Sequence, residues 1–353
     1  MSKLKLAILF GGVSSEHSIS LLSATTVIQY LNKERYELEL IGITKTGRFL
    51  RYTGDVEKIK TGEWEQGPVQ DCVISPSRVH KGLLLLDDKG GYQVLPIDCV
   101  VPVLHGKNGE DGTIQGLFQL AGIPFVGCDA ISSANCMDKE MTHIILGSAG
   151  VRMAKWAAVR SWEDLDSAAT RLEETLGGYP MFIKPANAGS SIGVSKAHDR
   201  GELMDGLKLA FDNDYKAIVE ETVMGREIEC AVLGNEDAKA SLPGEIEPAN
   251  EFYDFEAKYE NAESKLHIPA RIPEDTIALL RETAVHAYKA IGCAGLSRVD
   301  FFVTDKNEVI LNEINTLPGF TNISMYPKMW EKTGIPITEL LDRLIDYAMK
   351  RTN

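Results

Sequence analysis

The sequence predicts an α/β fold that begins with a parallel sheet. Residues 6–10 form a continuous apolar run that ends at a pair of glycines, which is typical of a strand covered on both faces. An amphipathic stretch over residues 18–31 follows, so the chain reads as strand, glycine loop and helix. Further buried strands at 37–43 and 99–104 continue the alternation, and this pattern favours parallel pairing.

The rest of the N-terminal part is less regular. Residues 51–95 are uneven and charged, with a hairpin-like turn around residues 87–91. The third strand ends at His105, and the loop 106–112 then opens a helix over 113–121. Because functional loops of parallel sheets cluster at the carboxyl ends of the strands, we expect these loops to carry chemistry.

The pattern changes after about residue 127. Residues 245–265 are charged and aromatic without a clear period, and a long segment of this kind between strands is often a functional lid. The sequence contains no repeat and no linker, so we expect closely packed domains. The predicted helices are 141–149, 162–176, 276–291 and 338–349, and the predicted strands are 181–184, 218–221, 228–233, 297–303 and 308–315.

Composition limits the class of protein. The 353 residues carry 37 Lys and Arg against 51 Asp and Glu, a net charge of −14, and 44% of them are hydrophobic. These values exclude whole-chain disorder, and the acidic balance argues against a nucleic-acid partner. No apolar run approaches the roughly 18 residues of a membrane span, so we expect no membrane partner. The six cysteines form no CxxC pair, which predicts free buried thiols and a cytoplasmic location.

The strongest constellation of polar residues lies on the last two predicted strands. Arg298 and Asp300 are two residues apart and share one face of a strand, and Glu313 and Asn315 repeat this spacing on the next strand. Adjacent strands would present these groups to one space, and carboxylate and amide oxygens suit Mg²⁺ bound together with nucleotide phosphates. The alternative is a solvated face with salt bridges, but the apolar residues between these positions indicate a half-buried sheet.

Lysines and a glycine-rich loop form a second constellation. Lys184 ends an apolar strand, where a lysine is costly unless it meets an anion. The following loop, residues 187–193 with Ser190 and Ser191, offers backbone N–H groups and hydroxyls to phosphate. By itself the loop could be an ordinary turn, and the pattern of a Walker A loop is absent. Lys139 and Lys258 are the other candidate phosphate lysines.

The N-terminal loops supply a third set. Glu16 lies where the first strand passes into the first helix, and His105 ends a later strand of the same predicted sheet. Each has an ordinary alternative: Glu16 could interact with the helix dipole, Ser14 or Ser15 could cap the helix, and His105 could be a satisfied core histidine.

Seven motifs follow one another from about residue 6 to residue 327. They are FGGVSSEHSIS, LHGKNGEDGTIQGLFQLAGIPFVG, MDKE, FIKPANAGSSIG, FYDFEAKY, SRVDFF and LNEINTLPGFTNISMYP. Together, and in this order, they resemble the D-alanine–D-alanine ligase family of the ATP-grasp superfamily. The resemblance implies a Rossmann-like N-terminal domain at 1–127, followed by ATP-grasp subdomains at 128–220 and 221–353, the second with a lid loop at 245–265.

The resemblance implies ATP-dependent ligation of two D-alanine molecules for peptidoglycan precursors. One D-alanine carboxylate attacks the γ-phosphate of ATP, and the amine of the second attacks the resulting D-alanyl phosphate. Two Mg²⁺ ions, for which Mn²⁺ can substitute, and several lysines neutralise the negative charges that must meet. Since water hydrolyses an acyl phosphate, a lid has a clear purpose. Relatives of this kind are typically homodimers.

The resemblance also implies roles for individual residues. The metal ligands are Asp300, Glu313 and Asn315. On the amino-acid side Arg298 holds a carboxyl oxygen and the oxyanion, Glu16 receives the first ammonium, with His105 beside it, and Ser324 and Met325 lie at the second carboxylate. Ser190 and Tyr259 link to Glu16 when the lid closes. The ATP-binding positions are Lys139, Lys184, Ser190, Ser191, Glu220, Glu221, Val223, Glu227, Lys258, Asn312 and Glu313.

Alternatives remain open at the second substrate. A D-Ala–D-Ser or D-Ala–D-lactate ligase of the vancomycin-resistance type performs the same chemistry with a different second substrate. Lactate-forming relatives tend to lack the lid signature that contains Tyr259, and some serine-forming relatives carry Arg at the position of Met325. Another ATP-grasp carboxylate–amine ligase is a more remote alternative. Two departures, Ser18 and Phe255, stand where many relatives carry Glu and Tyr, and neither has an assigned catalytic role.

Overall fold

The computed structural model describes residues 3–189, 192–247 and 265–351. Four predicted site residues, Ser190, Ser191, Lys258 and Tyr259, lie outside the described residues. So does most of the predicted lid, because only its ends, up to residue 247 and from residue 265, are described.

The N-terminal sheet has seven strands in the order β6-β5-β4-β3-β2-β1-β7. Strand β1 pairs in parallel with β2 and β7, as the apolar runs predict. The expectation of a parallel sheet is too simple, because β3 to β6 join by antiparallel pairing and make the sheet mixed. Short connections join β2 to β3, β4 to β5 and β5 to β6, and short connections favour antiparallel neighbours, whereas β3 and β4 are joined through the helix Glu57–Lys60. The strands are β1 Leu4–Gly11, β2 Tyr36–Ile43, β3 Phe49–Tyr52, β4 Val69–Ile74, β5 Gly82–Leu86, β6 Tyr92–Pro96 and β7 Cys99–Val103.

A four-stranded antiparallel sheet follows, in the order β10-β9-β11-β8. Its strands are β8 Trp156–Arg160, β9 Met181–Pro185, β10 Ser195–Ala197 and β11 Lys216–Glu221. A third antiparallel sheet runs β15-β14-β12-β16-β17, with β13 paired to β12. Its strands are β12 Arg226–Gly234, β13 Lys239–Ala240, β14 Gly244–Glu247, β15 Lys265–His267, β16 Gly295–Val303 and β17 Val309–Asn315.

Four helices begin at an aspartate whose side chain accepts a backbone N–H of the first turn. Asp129, Asp138, Asp164 and Asp199 each satisfy donors that have no partner within the helix. The helices of the described residues are α1 His17–Tyr30, α2 Glu57–Lys60, α3 Thr113–Ala121, α4 Ala130–Met137, α5 Lys139–Ser148, α6 Leu165–Leu176, α7 Arg200–Phe211, α8 Glu274–Ala290, α9 Met325–Lys332 and α10 Ile337–Lys350. None of them is both long and apolar enough to cross a bilayer.

The closing helix α10 ties the first sheet to the third. Leu340 and Leu344 of α10 are buried in one cluster with Leu6 of β1 and Leu296 of β16. Such close packing fixes the N-terminal loops relative to the third sheet. The loops after β1 and β7 therefore face the strands β16 and β17. The six cysteines are free and buried, as expected.

Candidate active site

Strands β16 and β17 place the predicted cation, carboxylates and amide side by side. Arg298 is opposite Asn315, and Asp300 is opposite Glu313. The register shifts immediately after Asp300, since Phe301 is opposite Leu311 and Asn312 has no opposite residue. A bulge of this kind redirects side chains. Asn312 and Glu313, although adjacent in sequence, therefore both line the same cavity.

Arg298 lies between two carboxylates. Its Nε and Nη2 atoms donate to the two oxygens of Asp300 at 2.8 and 2.6 Å. The Nε atom also lies 3.2 Å from Oε2 of Glu229 on the neighbouring strand β12. A fork of this kind fixes the plane of the guanidinium group.

Lys184 is the penultimate residue of strand β9 and meets the anion that its apolar surroundings require. Its Nζ atom lies 2.6 Å from Oε2 of Glu220 and donates to Oδ1 of Asn312 at 3.2 Å. The other Glu220 oxygen lies 2.7 Å from Nε2 of His143. Burial disfavours the charged form of both partners, yet their attraction outweighs it: the pKa of Lys184 is raised and that of Glu220 is lowered to about 2. The pair is therefore ionised at neutral pH.

Lys139 stands at the start of helix α5. Its Nζ atom donates to the carbonyl oxygen of Ala188 at 2.7 Å, at the edge of the glycine-rich loop. The preceding residue, Asp138, caps the helix and also pairs with the buried Lys216. Lys216 in turn lies 2.9 Å from Glu140. This network of charges holds the helix start, and with it Lys139, against strand β11.

Glu16 and His105 come together from the two N-terminal loops. Glu16 is only 6% exposed, and its backbone N–H donates to Ser14 Oγ at 3.1 Å, so Ser14 orders the turn. His105 Nδ1 lies 3.2 Å from the Leu317 carbonyl oxygen and 3.5 Å from Glu110. Burial opposes protonation of His105, but the hydrogen bond and charge of Glu110 outweigh it and raise the pKa.

One cavity of about 550 Å³ brings most of the predicted site residues together. Thirteen of them line it: Glu16, His105, Lys139, Lys184, Glu220, Glu221, Val223, Glu227, Arg298, Asp300, Asn312, Glu313 and Asn315. Its wall also reaches Gly189, and a Cβ on that glycine would lie 3.5 Å from Oε2 of Glu16. The start of the glycine-rich loop is therefore close to the N-terminal carboxylate.

Two predicted residues do not reach the lining. Ser324 Oγ lies 2.8 Å from Thr321 Oγ1, and a Cβ on Gly319 of the lining would lie 2.9 Å from it, so Ser324 stands just behind the cavity wall. Met325 is buried in the core, and its side chain packs against Gly244. Packing of helix α9 turns it away from the cavity.

Comparisons with known proteins agree with this geometry. Residues 5–128 match the family model described as D-ala D-ala ligase N-terminus, and residues 145–346 match the one described as D-ala D-ala ligase C-terminus. The chain belongs to the D-alanine–D-alanine ligase family. It is therefore an ATP-dependent ligase of the ATP-grasp fold, as the sequence motifs imply.

Two curated members of the D-alanine–D-alanine ligase family and two solved structures illustrate the similarity. The chain is 48% identical to the protein of Acetivibrio thermocellus, with 99% of this chain and 97% of that protein covered. It is 49% identical to the one of Ruminiclostridium cellulolyticum, with 99% and 96% covered. A VanG D-Ala:D-Ser ligase from Enterococcus faecalis superposes with a TM-score of 0.90 at 42% identity, covering 98% of this chain and all of that one. The D-alanine–D-alanine ligase of Coxiella burnetii gives 0.85 at 35% identity, covering 99% and 96%.

Three residues of this family member were missed in the sequence. Glu229 lines the cavity, and the sequence could have indicated it, because Glu229 is two residues from Glu227 on one strand and therefore shares its face. Glu110 also lines the cavity, but it lies inside a loop whose shape the sequence does not give. His143 holds Glu220 from a helix far away in sequence, and no local pattern could have indicated that contact.

The predicted metal ligands are oxygen donors that suit a divalent cation bound together with a nucleotide. Nowhere in the described residues do three His, Cys, Asp or Glu side chains come together as a metal cluster. The predicted donors, two carboxylates and one amide oxygen, lie on the adjacent strands β16 and β17. Mg²⁺ is commonly held by one or two carboxylates while phosphate oxygens complete its coordination, so this set suits an ion that arrives with a nucleotide.

Proposed function

We propose that the 550 Å³ cavity binds ATP and two D-alanine molecules and joins them through D-alanyl phosphate. The observation that carries this proposal is the convergence on one cavity of Lys139, Lys184, Arg298 and the facing pair Asp300 and Glu313. A carboxylate must attack a phosphate, so two anions have to approach each other. Fixed cations in a partly closed site lower that barrier more than they would in water.

The lysines act on the phosphates in this proposal. Lys184 is held by Glu220 on one side and Asn312 on the other, so its ammonium group is aimed before ATP arrives. Lys139 is anchored at the edge of the glycine-rich loop. Lys258, Ser190 and Ser191 remain predicted phosphate partners, and all three lie outside the described residues.

Asp300, Glu313 and Asn315 would hold two Mg²⁺ ions, and Mn²⁺ would substitute. When bound, the ions neutralise the phosphates and favour departure of ADP. The chain's own contribution is the β-sheet register, which keeps the three oxygen donors within one space and leaves Arg298 beside them.

The amino-acid side of the cavity is assigned to the N-terminal loops and to Arg298. Glu16 would receive the first D-alanine ammonium, with His105 beside it, and Arg298 would bind the carboxyl oxygen and the oxyanion that forms later. Ser324 would bind the second carboxylate, which requires a rearrangement because Ser324 now contacts Thr321 behind the wall. Met325 is buried at the first position of helix α9, which supports a role in fixing the start of that helix behind Ser324.

The adenine and ribose would lie between the second and third sheets. Glu220, Glu221, Val223 and Glu227 line the cavity where strand β11 passes into β12, which supports their assignment to the nucleoside. The same connection supports the proposed boundary between the domains at 128–220 and 221–353, which follow a domain at 1–127. A homodimer and a cytoplasmic location complete the proposal.

Ser190 and Tyr259 are proposed to link to Glu16 when the proposed lid, residues 245–265, covers the substrates. Gly189, the last described residue before Ser190, lies close to Glu16, and this proximity supports the first link. A covered site would exclude water from the D-alanyl phosphate.

Product analysis tests the proposal. Protein incubated with ATP, Mg²⁺ and D-alanine is expected to release one phosphate for each D-alanyl-D-alanine formed, with D-alanine as the preferred second substrate. The similarity to a D-Ala:D-Ser ligase at a TM-score of 0.90 makes D-serine the second candidate. Competition between D-alanine and D-serine, followed by chromatography of the dipeptides, decides between them. Dominant D-alanyl-D-serine would overturn the assignment of the second substrate, and no dipeptide at all would overturn the proposed function.

A further inference from the structure

Glu229 is a buried carboxylate at the cavity wall to which the proposed function gives no task. It is 6% exposed and lies on β12 opposite Asp300, which in turn lies opposite Glu313 on β17. Residues opposite each other on adjacent strands share a face of the sheet. The three carboxylates therefore form one row across the sheet. Arg298 lies on the same face, two residues before Asp300 on strand β16.

Arg298 takes part in contacts with two of these carboxylates at once. Asp300 accepts from Nε and Nη2, and Glu229 approaches the same Nε at 3.2 Å from the neighbouring strand. Arg298 also lines the cavity, so its guanidinium group is held by protein on one side and can be reached by a ligand from the other.

Asp300 has two tasks in the proposed function, and these tasks compete. As a metal ligand it must direct oxygen toward Mg²⁺, while as the bidentate partner of Arg298 it directs both oxygens toward the guanidinium group. Glu229 is not one of the predicted metal ligands, and it lies on β12, which is separated from β17 by the strand that carries Asp300. The Glu229 carboxylate, which lies near Nε, would hold Arg298 in place while Asp300 also coordinates the metal ion.

We propose that Glu229 is a positioning residue that fixes the Arg298 guanidinium group for the D-alanine carboxyl oxygen. The proposal rests on the function proposed above, in which Arg298 touches the substrate. A purely structural ion pair is a weak explanation for Glu229, because replacing a buried pair by apolar residues is often neutral or stabilising. At this position the carboxylate also lines the cavity beside the reacting groups.

The test uses the full-length protein and steady-state kinetics. Glu229→Gln keeps the shape of the side chain and removes its charge. We expect kcat/KM for D-alanine to fall about tenfold or more, because the neutral amide no longer attracts the Arg298 guanidinium group across the 3.2 Å contact. The Kd of a non-hydrolysable Mg²⁺–ATP analogue, measured by calorimetry, should stay within about twofold of the unmodified protein.

Glu39 offers a matched control. It is also a buried glutamate that meets an arginine of the adjacent strand, with Arg51 Nε at 2.7 Å, but it lies in the first sheet outside the cavity lining. Glu39→Gln should lose a comparable amount of thermal stability and keep its kinetics. Equal kinetic losses in the two variants would show that Glu229 acts through stability alone and would overturn the proposal.

Further variants keep the outcome decisive. Glu229→Asp retains the charge with a shorter reach and should lose less of kcat/KM than Glu229→Gln; an equal or greater loss contradicts positioning by charge.

In an Arg298→Ala background, Glu229→Gln should add no further loss of kcat/KM, because the arginine that Glu229 positions is absent. Full activity of Arg298→Ala itself would overturn the proposed role of Arg298, whereas a dead Arg298→Ala with a fully active Glu229→Gln would overturn only the inference. A weaker nucleotide Kd in Glu229→Gln would assign the residue to the metal site instead.

Discussion

Lys184 and Glu220 form a buried ion pair, with Nζ and Oε2 2.6 Å apart, at the wall of the cavity that is proposed to take ATP. The two residues lie on adjacent antiparallel strands, and His143 adds a contact of 2.7 Å to the second Glu220 oxygen. Without the other strand, β9 would bury the charge of Lys184 unpaired, and β11 would bury that of Glu220. The pair therefore couples the stability of the second sheet to the position of a phosphate-binding lysine.

The first prediction concerns this pair. Glu220→Gln leaves the Lys184 ammonium buried without its carboxylate, and we expect the free energy of unfolding at pH 7 to fall by about 3 kcal/mol. Because the folded-state pKa of Glu220, about 2, lies below the usual 4.5, the carboxylate stabilises the fold above pH 4.5 and loses this effect as the pH falls through about 2. Urea unfolding at several pH values should show the difference from the unmodified protein shrinking below pH 4.5.

Glu202→Gln is the control for that experiment. Glu202 is an exposed glutamate that contacts His198 on the surface of the same domain. Its replacement should change the free energy of unfolding by no more than about 0.5 kcal/mol. A pH-independent difference for Glu220→Gln would contradict the ionised pair.

The second prediction concerns the metal donors. Glu313→Ala should reduce phosphate release about 100-fold or more at saturating ATP and Mg²⁺, because it removes a carboxylate from the facing pair. The fold should survive, since Glu313 is only partly buried at the cavity wall. Near-normal turnover with an intact circular dichroism spectrum would remove Glu313 from the proposed metal ligands.

The third prediction concerns the anchor of Lys139. Lys216 is 4% exposed and contacts both Asp138 and Glu140 at the start of α5. Lys216→Met leaves these carboxylates without their shared partner, so we expect a loss of about 3 kcal/mol of stability and a several-fold rise in KM for ATP.

An exposed lysine provides the comparison for Lys216. Lys208 pairs with Asp205 at 2.9 Å on the surface of α7, and Lys208→Met should leave both the unfolding midpoint and KM for ATP unchanged. An unchanged KM in Lys216→Met, with the stability loss present, would show that the charge network supports the fold without positioning Lys139.

The fourth prediction concerns Tyr259, which lies outside the described residues. Tyr259→Phe removes the hydroxyl that is proposed to link the lid to Glu16, so turnover should fall about tenfold while the Kd for ATP stays nearly the same. Stopped-flow and equilibrium nucleotide binding separate the two effects. Unaltered kinetics would count against the link.

Much of the fold followed from local patterns. The apolar run before Gly11, the helix over 113–121 and the paired strands that end near residues 303 and 315 depend on the periodicity of neighbouring residues, and the structure has them within a few positions. Within the antiparallel part of the first sheet, the hairpin turn around residues 87–91 was predicted and joins β5 to β6. The pairing of β3 and β4 was not foreseen, because residues 51–95 alternate weakly and this pairing depends on burial. Helix α9, which buries Met325, also lacked a clear periodic signal.

The sequence by itself determined which residues carry charge near strand ends, and spacing of two placed Arg298 with Asp300 and Glu313 with Asn315 on common faces. Only the tertiary structure decided how these groups meet. The bulge that directs both Asn312 and Glu313 into the cavity, and the contacts of Glu220 with His143 and of Arg298 with Glu229, join residues far apart in the chain. Periodicity reports the faces of single elements, whereas register and packing arise from the whole core, and for that reason no local pattern contains them.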